Sequence, residues 1–351
     1  MNQPFFFYNN AFPDFLYKNN CSIIFSTYQA GKVIVINSIN GQSLQMFAKN
    51  FKRPMGIAIN GEKLAVANRN KIDIFSNSHA LAINYPDKPK YYKTLYLPQV
   101  TYYTGMADIH EIEWGKDGLW AVNTAFSCLC QMDEEYSFIP KWFPPFISDV
   151  VHEDRCHLNG MAMKDNEPAY VTMFDNTDTK DGWRNGNTET GMIIDVRNNK
   201  TIADKLPMPH SPALDGNNIF FLLSATGSVM KLNTNTEKIT EIARTDKFLR
   251  GLSIMGDYII AGASELRDSS KAFGNIDITK EKSSPGIIIF EKHTGEAIAR
   301  LTFTDHIKEI FSVKSIKNAG NISIMTEKDE WSHRFIHGPD KLDYWAKKNN
   351  G

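Results

Sequence analysis

The sequence predicts an all-β fold, a six-bladed β-propeller, and three observations carry that expectation. Apolar residues fall in short runs of strand length bounded by Gly, Asn and Asp. The chain lacks the amphipathic helical stretches of roughly 10 to 15 residues that an alternating α/β fold places between strands. The same strand and turn grammar also returns about every 40 to 60 residues, the sequence form of four-stranded blades repeated around an axis.

Residues 1–20 read as an N-terminal extension, rich in Phe and Tyr. Strands follow at 22–25, 32–36 and 43–48, three without an inner strand ahead of them. The first full unit runs through 57–59, the Asn60-Gly61 turn, 64–67 and 72–75. The next takes 110–114, 119–122 and 126–132, and a third 157–163, 169–173 and 192–196. A fourth comprises 209–214, 219–223, 229–232 and 239–242; a fifth comprises 249–254, 258–261, 286–290 and 297–303. The last begins at 310–313 and offers little beyond 322–325. The two incomplete ends are expected to share one blade and close the ring. Six blades result, or seven if two units have been merged. Residues 21–327 then form a single propeller domain and 328–351 a solvated tail, with one helical turn around Tyr344-Trp345. Residues 175–190 and 266–285 are polar insertions expected to form loops over one end of the ring.

The charge balance narrows the function classes. The 351 residues carry 39 Lys and Arg against 40 Asp and Glu, a formal net charge of −1, which argues against nucleic acid or an anionic membrane as the main partner. No apolar run approaches the roughly 18 to 20 residues that span a bilayer, and the N-terminus lacks the basic start and apolar core of a secretory signal. A cytoplasmic protein is expected. Cys21, Cys128, Cys130 and Cys156 lack paired metal-site spacings and are read as reduced thiols. Cys128 and Cys130 would share a strand face, as buried hydrophobes or as a vicinal pair for a soft metal. No dinucleotide fingerprint, phosphate loop or GxSxG elbow is present, so no nucleotide cofactor is expected.

Several strings are more specific. TYQAG at 27–31, RPMG at 53–56, DIH at 108–110, PPFIS at 144–148, EDRCHLNG at 153–160, DGWR at 181–184, MPHSP at 208–212 and LRGL at 249–252 occur in order along the chain. Together they resemble an uncharacterised bacterial family of conserved hypothetical proteins, domain of unknown function 4915, over roughly residues 21–327. The resemblance implies a single propeller-like domain and no established activity.

Function should reside where the inner strands begin, because those positions ring one mouth of the central channel. Aligning the unit starts places Arg53, His110, His157 with Asn159, His210, Arg250 and Glu309 near that rim. Three consecutive blades each contribute a histidine, and a three-imidazole site with an open position can hold a divalent metal ion and activate water. His110, His157 and His210 are therefore the expected metal ligands, with Glu111, Asp154 and Glu309 as a base or as partners of the imidazoles. Arg53 and Arg250 would clamp an anionic group, with Asn159 beside them and Trp183 and Arg184 covering the ligand from the first insertion. The remaining histidines are expected to be exposed, His306 being the nearest to an additional ligand. This describes a metal-dependent enzyme acting on a small polar or anionic molecule by hydrolysis, elimination or oxidation. Its rival is a non-catalytic propeller displaying loops to a protein or peptide, in which the rim histidines are structural.

Overall fold

A computed structural model describes residues 5–185, 188–266, 276, 278, 284–340 and 342–347. Strand β1 (Phe6–Tyr8) and helix α1 (Ala11–Lys18) precede the ring. The first blade holds β2 (Cys21–Thr27), β3 (Lys32–Asn37) and β4 (Gln45–Asn50). The second holds β5 (Ile57–Asn60), β6 (Lys63–Ala67), β7 (Lys71–Asn77) and, after the short helix α2 (His79–Ile83), β8 (Thr94–Tyr103). In the third are β9 (Ile109–Gly115), β10 (Gly118–Asn123), β11 (Cys128–Gln131) and β12 (Ile139–Trp142). The fourth comprises β13 (Leu158–Lys164), β14 (Glu167–Met173), β15 (Gly191–Asp195) and β16 (Lys200–Leu206). The fifth comprises β17 (Pro209–Asp215), β18 (Asn218–Leu223), β19 (Ser228–Asn233) and β20 (Ile239–Arg244). The sixth comprises β21 (Phe248–Met255), β22 (Tyr258–Ser264), β23 (Gly286–Glu291) and β24 (Ala297–Phe303). Strands β25 (Val313–Lys317), β26 (Ile322–Ile324), β27 (Phe335–Ile336) and β28 (Tyr344–Trp345) end the chain.

The result is a six-bladed β-propeller. Strand β25 pairs antiparallel with β2 as the inner strand of the first blade, Ile23 facing Ser315, so the chain's two ends close the ring as expected. The closing strand starts at Val313, later than the 310–313 run read from sequence. Residues 322–324 do not extend that blade: β26 adds in parallel to the outer edge of β8 in the second blade. Likewise β1 adds to β24 at the outer edge of the sixth.

Each blade is apolar on both faces because each is flanked by two others. Ile24, Val33 and Val35 face the second blade, whereas Ile23, Phe25, Ile34 and Ile36 join a core shared with the sixth. One such core lies between every adjacent pair, and Cys128 and Cys130 belong to the one between the second and third blades. All four cysteines are buried free thiols. Helix α1 was not anticipated; it is too short to show a sustained period, yet its Phe12, Phe15 and Leu16 seal the core between the sixth and first blades.

The C-terminal segment corrects another expectation. Tyr344 and Trp345 form a strand paired with β27, not a helical turn. Trp331 is buried, and Trp345 packs against Tyr85 and Trp331 over Leu81 and Tyr92. His337, expected to be exposed, is partly buried between Asp343 (2.6 Å) and Ser76 (3.3 Å). Most of the 266–285 insertion lies outside the described residues. No helix among the described residues is long and apolar enough to cross a membrane.

Candidate functional site at the channel mouth

Inner strands of consecutive blades share one irregularity. In β9 the ladder with β10 passes from Ile109 to Glu111, leaving His110 as the extra residue of a bulge. In β13 it passes from Leu158 to Gly160, leaving Asn159. The register breaks after His210 in β17 and after Leu249 in β21, at Arg250 and Gly251. A bulge bends the strand and re-aims the extra side chain. The bulged His110, Asn159, Ser211 and Arg250, with His210 from the last paired position ahead of its bulge, line one small cavity, completed by Glu111, Gly251, Leu252, Phe311 and Ser312. Its volume, ≈ 10 Å³, is room for the centre of about one water.

A left-handed residue precedes the strand in three of these blades: Asp108 (φ 52°), His157 (φ 51°) and Met208 (φ 54°). Two positions later stand His110, Asn159 and His210. Asn159, not His157, is thus the equivalent of the other two histidines, and His157 occupies the turn before the strand.

Each of the three imidazoles has its Nδ1 engaged by a neighbour. His110 Nδ1 donates to the Asp108 carbonyl at 3.1 Å, and His157 Nδ1 to the Asp154 carboxylate at 3.1 and 3.2 Å. His210 Nδ1 lies 2.6 Å from Ser224 Oγ, whose own proton goes to the Leu249 carbonyl, so the serine accepts from the histidine. In the buried, neutral His110 and His210 this leaves Nε2 as a lone pair. Burial keeps two of the rings neutral: it lowers His110 to about 4, with Asp108 opposing and His157 and Arg250 assisting, and it pushes His210 well below the ordinary range.

The expected three-histidine metal centre is not built this way. Among the described residues, no group of three or more His, Cys, Asp or Glu side chains is arranged to hold a metal ion. Phe174, rather than a shared centre, links His157 to His210, at 4.6 and 4.9 Å between ring centroids. His110 and His157 meet edge to face at 4.9 Å.

The other candidates divide into two groups. Asp154 accepts from His157, from Trp183 Nε1 at 2.9 Å and faces Arg184 at 3.9 Å. Trp183, expected to be exposed over a ligand, is buried and lies on the His157 ring at 4.1 Å, with Arg184 stacked on its outer side at 4.2 Å. On the opposite arc, Arg250 lies 3.5 Å over Phe311 and 3.7 Å from Glu309. Phe311 stacks with Tyr28, and Tyr28 carries Arg53 on its ring at 5.5 Å. The two guanidiniums are thus joined through aromatic rings. Glu111 lines the small cavity, accepts from the Met161 amide at 2.8 Å, and is raised to about 7 by desolvation against the pull of Lys314. His306 is exposed beside Asp305 and does not line the cavity. Burial raises the Cys156 thiol to about 12, which leaves it no nucleophilic character beside His157.

Sequence reasoning did not single out Phe174, Phe311 or Ser224. The only available signal was position: Phe174 follows the second strand of its blade, and Phe311 sits just ahead of the closing strand.

A family model described as a domain of unknown function (DUF4915) matches residues 10–325. The chain belongs to the DUF4915 family. No curated protein is significantly similar in sequence. Among solved structures, this DUF4915 chain resembles the crystal structure of a nidogen/laminin complex, with 9% identity over 85% of this chain and 99% of that one, at a TM-score of 0.55. It also resembles a protein of unknown function from Bacteroides caccae, with 10% identity over 85% and 99% and a TM-score of 0.54. At such identities the likeness establishes the propeller and nothing about activity.

Proposed function

We propose that the channel mouth binds a hydroxyl-bearing small molecule, one hydroxyl oxygen occupying the cavity at the axis. The supporting observation is the mixture of unspent groups around that cavity. The Nε2 atoms of His110 and His210 can only accept a hydrogen bond, while the buried Nδ2 of Asn159 donates to nothing and its Oδ1 is occupied by Thr172. An occupant must both donate and accept, which a hydroxyl or a water does and a carboxylate does not. His157, oriented by Asp154 and capped by Trp183, packs against His110 from outside the cavity and would hold that ring in place.

A divalent cation is the second reading, favoured by one observation: the rings of His110 and His157 are in contact, and the Nδ1 atom of each is engaged by a second partner. One experiment separates the readings. Long-range 1H–15N spectra of the histidine rings, recorded while glycerol, myo-inositol or Zn2+ is added, should show Nε2 of His110 and His210 shifting with a polyol, and those shifts lost in Asn159→Leu. Shifts of His110 and His157 with Zn2+ alone would favour the cation. No response to any addition would sink both and leave the protein- or peptide-interaction role standing.

A further inference from the structure

A second cluster of reactive side chains lies outside the channel, where the C-terminal segment meets the second blade. Ser76 stands near the end of β7, half-buried, with its Oγ 3.3 Å from Nε2 of His337. His337 follows β27, and its Nδ1 is 2.6 Å from Oδ1 of Asp343, just ahead of β28. The other Asp343 oxygen accepts from Ser78 Oγ at 2.7 Å, and that buried hydroxyl also caps α2 by accepting from the Leu81 amide. With both oxygens accepting, Asp343 steers the ring and holds the Nδ1 proton, so in the neutral imidazole Nε2 is a lone pair turned to the Ser76 hydroxyl. Hydroxyl, imidazole and carboxylate follow one another in the order of a serine nucleophile, its base and the group that orients the base.

The turn carrying His337 and Asp343 is held at both ends. Phe335 pairs with Trp345 and Ile336 with Tyr344, and the Ala346 amide donates to the Arg334 carbonyl at 2.7 Å. Trp345 Nε1 donates to the Leu81 carbonyl at 3.1 Å and Trp331 Nε1 to Asp87 at 2.6 Å, which ties the hairpin to the second blade. These bonds already fasten the hairpin. The Ser76 contact adds a link that is long for a strut and usual for a nucleophile before its substrate arrives. Lys63 is the direct partner of Ser76 across the β6 and β7 ladder and projects from the same face. Its ammonium rests over the Trp114 ring at 5.3 Å, a contact weak enough at an exposed side chain to be given up for a developing negative charge.

We propose that Ser76, His337 and Asp343 form a serine-hydrolase site that cleaves small carboxylic esters. Ser76 Oγ attacks the ester carbonyl carbon while its proton passes to His337 Nε2; the bond to the alcohol oxygen breaks, and that oxygen takes the proton from Nε2. Water then attacks the Ser76 ester, its proton passing through Nε2 to Oγ as the carboxylic acid leaves. Lys63 meets the oxyanion of each step, and Asp343 acts through His337 as a positioning residue. The site stands independently of the channel mouth.

A fluorophosphonate, which phosphonylates activated serines with loss of fluoride, tests this on the full chain when adducts are mapped by peptide mass spectrometry. Ser76 should be modified in the folded chain and not in the urea-unfolded one. His337→Gln should slow the modification about 100-fold. Asp343→Asn, which keeps the shape and removes the charge, should slow it at least about tenfold. Ser76→Ala should lose the burst of p-nitrophenol, about one per chain, released from p-nitrophenyl acetate. Melting curves matching the parent establish that the variants fold; if His337→Gln melts early, Asp343→Asn decides. No adduct at Ser76, an adduct formed as fast in the unfolded chain, or unslowed modification in Asp343→Asn would overturn the proposal and leave the three residues as a tie between hairpin and blade.

Discussion

His110 and His210 sit in the channel wall as neutral rings because burial penalises their charged forms. From about pH 6.5 down to about 4 the unfolded chain gains a proton at His110 that the folded chain refuses, and His210, also lowered by burial, acts in the same direction, so their contribution to stability is present above 6.5 and is lost as pH falls below it. Glu111 runs the other way: held at about 7 against 4.5, it keeps its proton in the folded state, so stability falls as pH rises between those values. Two imidazoles outweigh one carboxyl. Urea unfolding should therefore show a net loss of stability from pH 6.5 to 4.5, steeper in Glu111→Gln and shallower in His110→Gln; identical profiles for all three chains would refute the assignment. Asp154 gives a second test at this scale. It holds both His157 and Trp183, so Asp154→Ala should destabilise by about 1 to 3 kcal/mol and alter the Trp183 fluorescence, whereas a purely surface carboxylate would do neither.

The bulge is the element on which the channel mouth depends. Gly160 follows the extra residue in β13, and a Cβ there would come within 2.4 Å of Pro212 Cδ in the next blade and of Thr172 Oγ1. Gly160→Ala should cost about 1 to 3 kcal/mol and disturb Asn159, read as a lower urea midpoint and altered Asn159 side-chain amide resonances. The strands themselves were legible, because a period of two and flanking turn residues mark each one. The bulges were not: one inserted residue leaves the apolar pattern almost intact while reversing which face a side chain takes. That is why His157 could be mistaken for the counterpart of His110 and His210, although it lies two positions upstream of Asn159, which fills that place. Trp183 was misplaced for a related reason, since the polar residues around it say nothing of the imidazole it covers.

At the scale of the whole molecule, the blade count and the shared first blade could be read from repeat spacing alone, because the N-terminal strands lacked an inner partner and the C-terminal one lacked the rest. A cleft between the first and second blades could not, since its walls come from residues 50–52, 68–75, 98–101 and 326–328, brought together only by ring closure and by β26. A chain ended at Ser312 loses β25 and β26, and with them the buried Val313, Ile322 and Ile324. It should show no cooperative melting transition by circular dichroism, while a chain ended at 347 should melt as the full protein does. The pairing of Ile23 with Ser315 also has a consequence for biosynthesis. Until codon 317 has been translated, β2 waits on the ribosome with one flank bare, a surface open to wrong partners from neighbouring nascent chains. Premature stop mutations anywhere upstream should therefore yield insoluble product in place of shortened working protein, and demand for chaperones should fall once residue 317 has emerged.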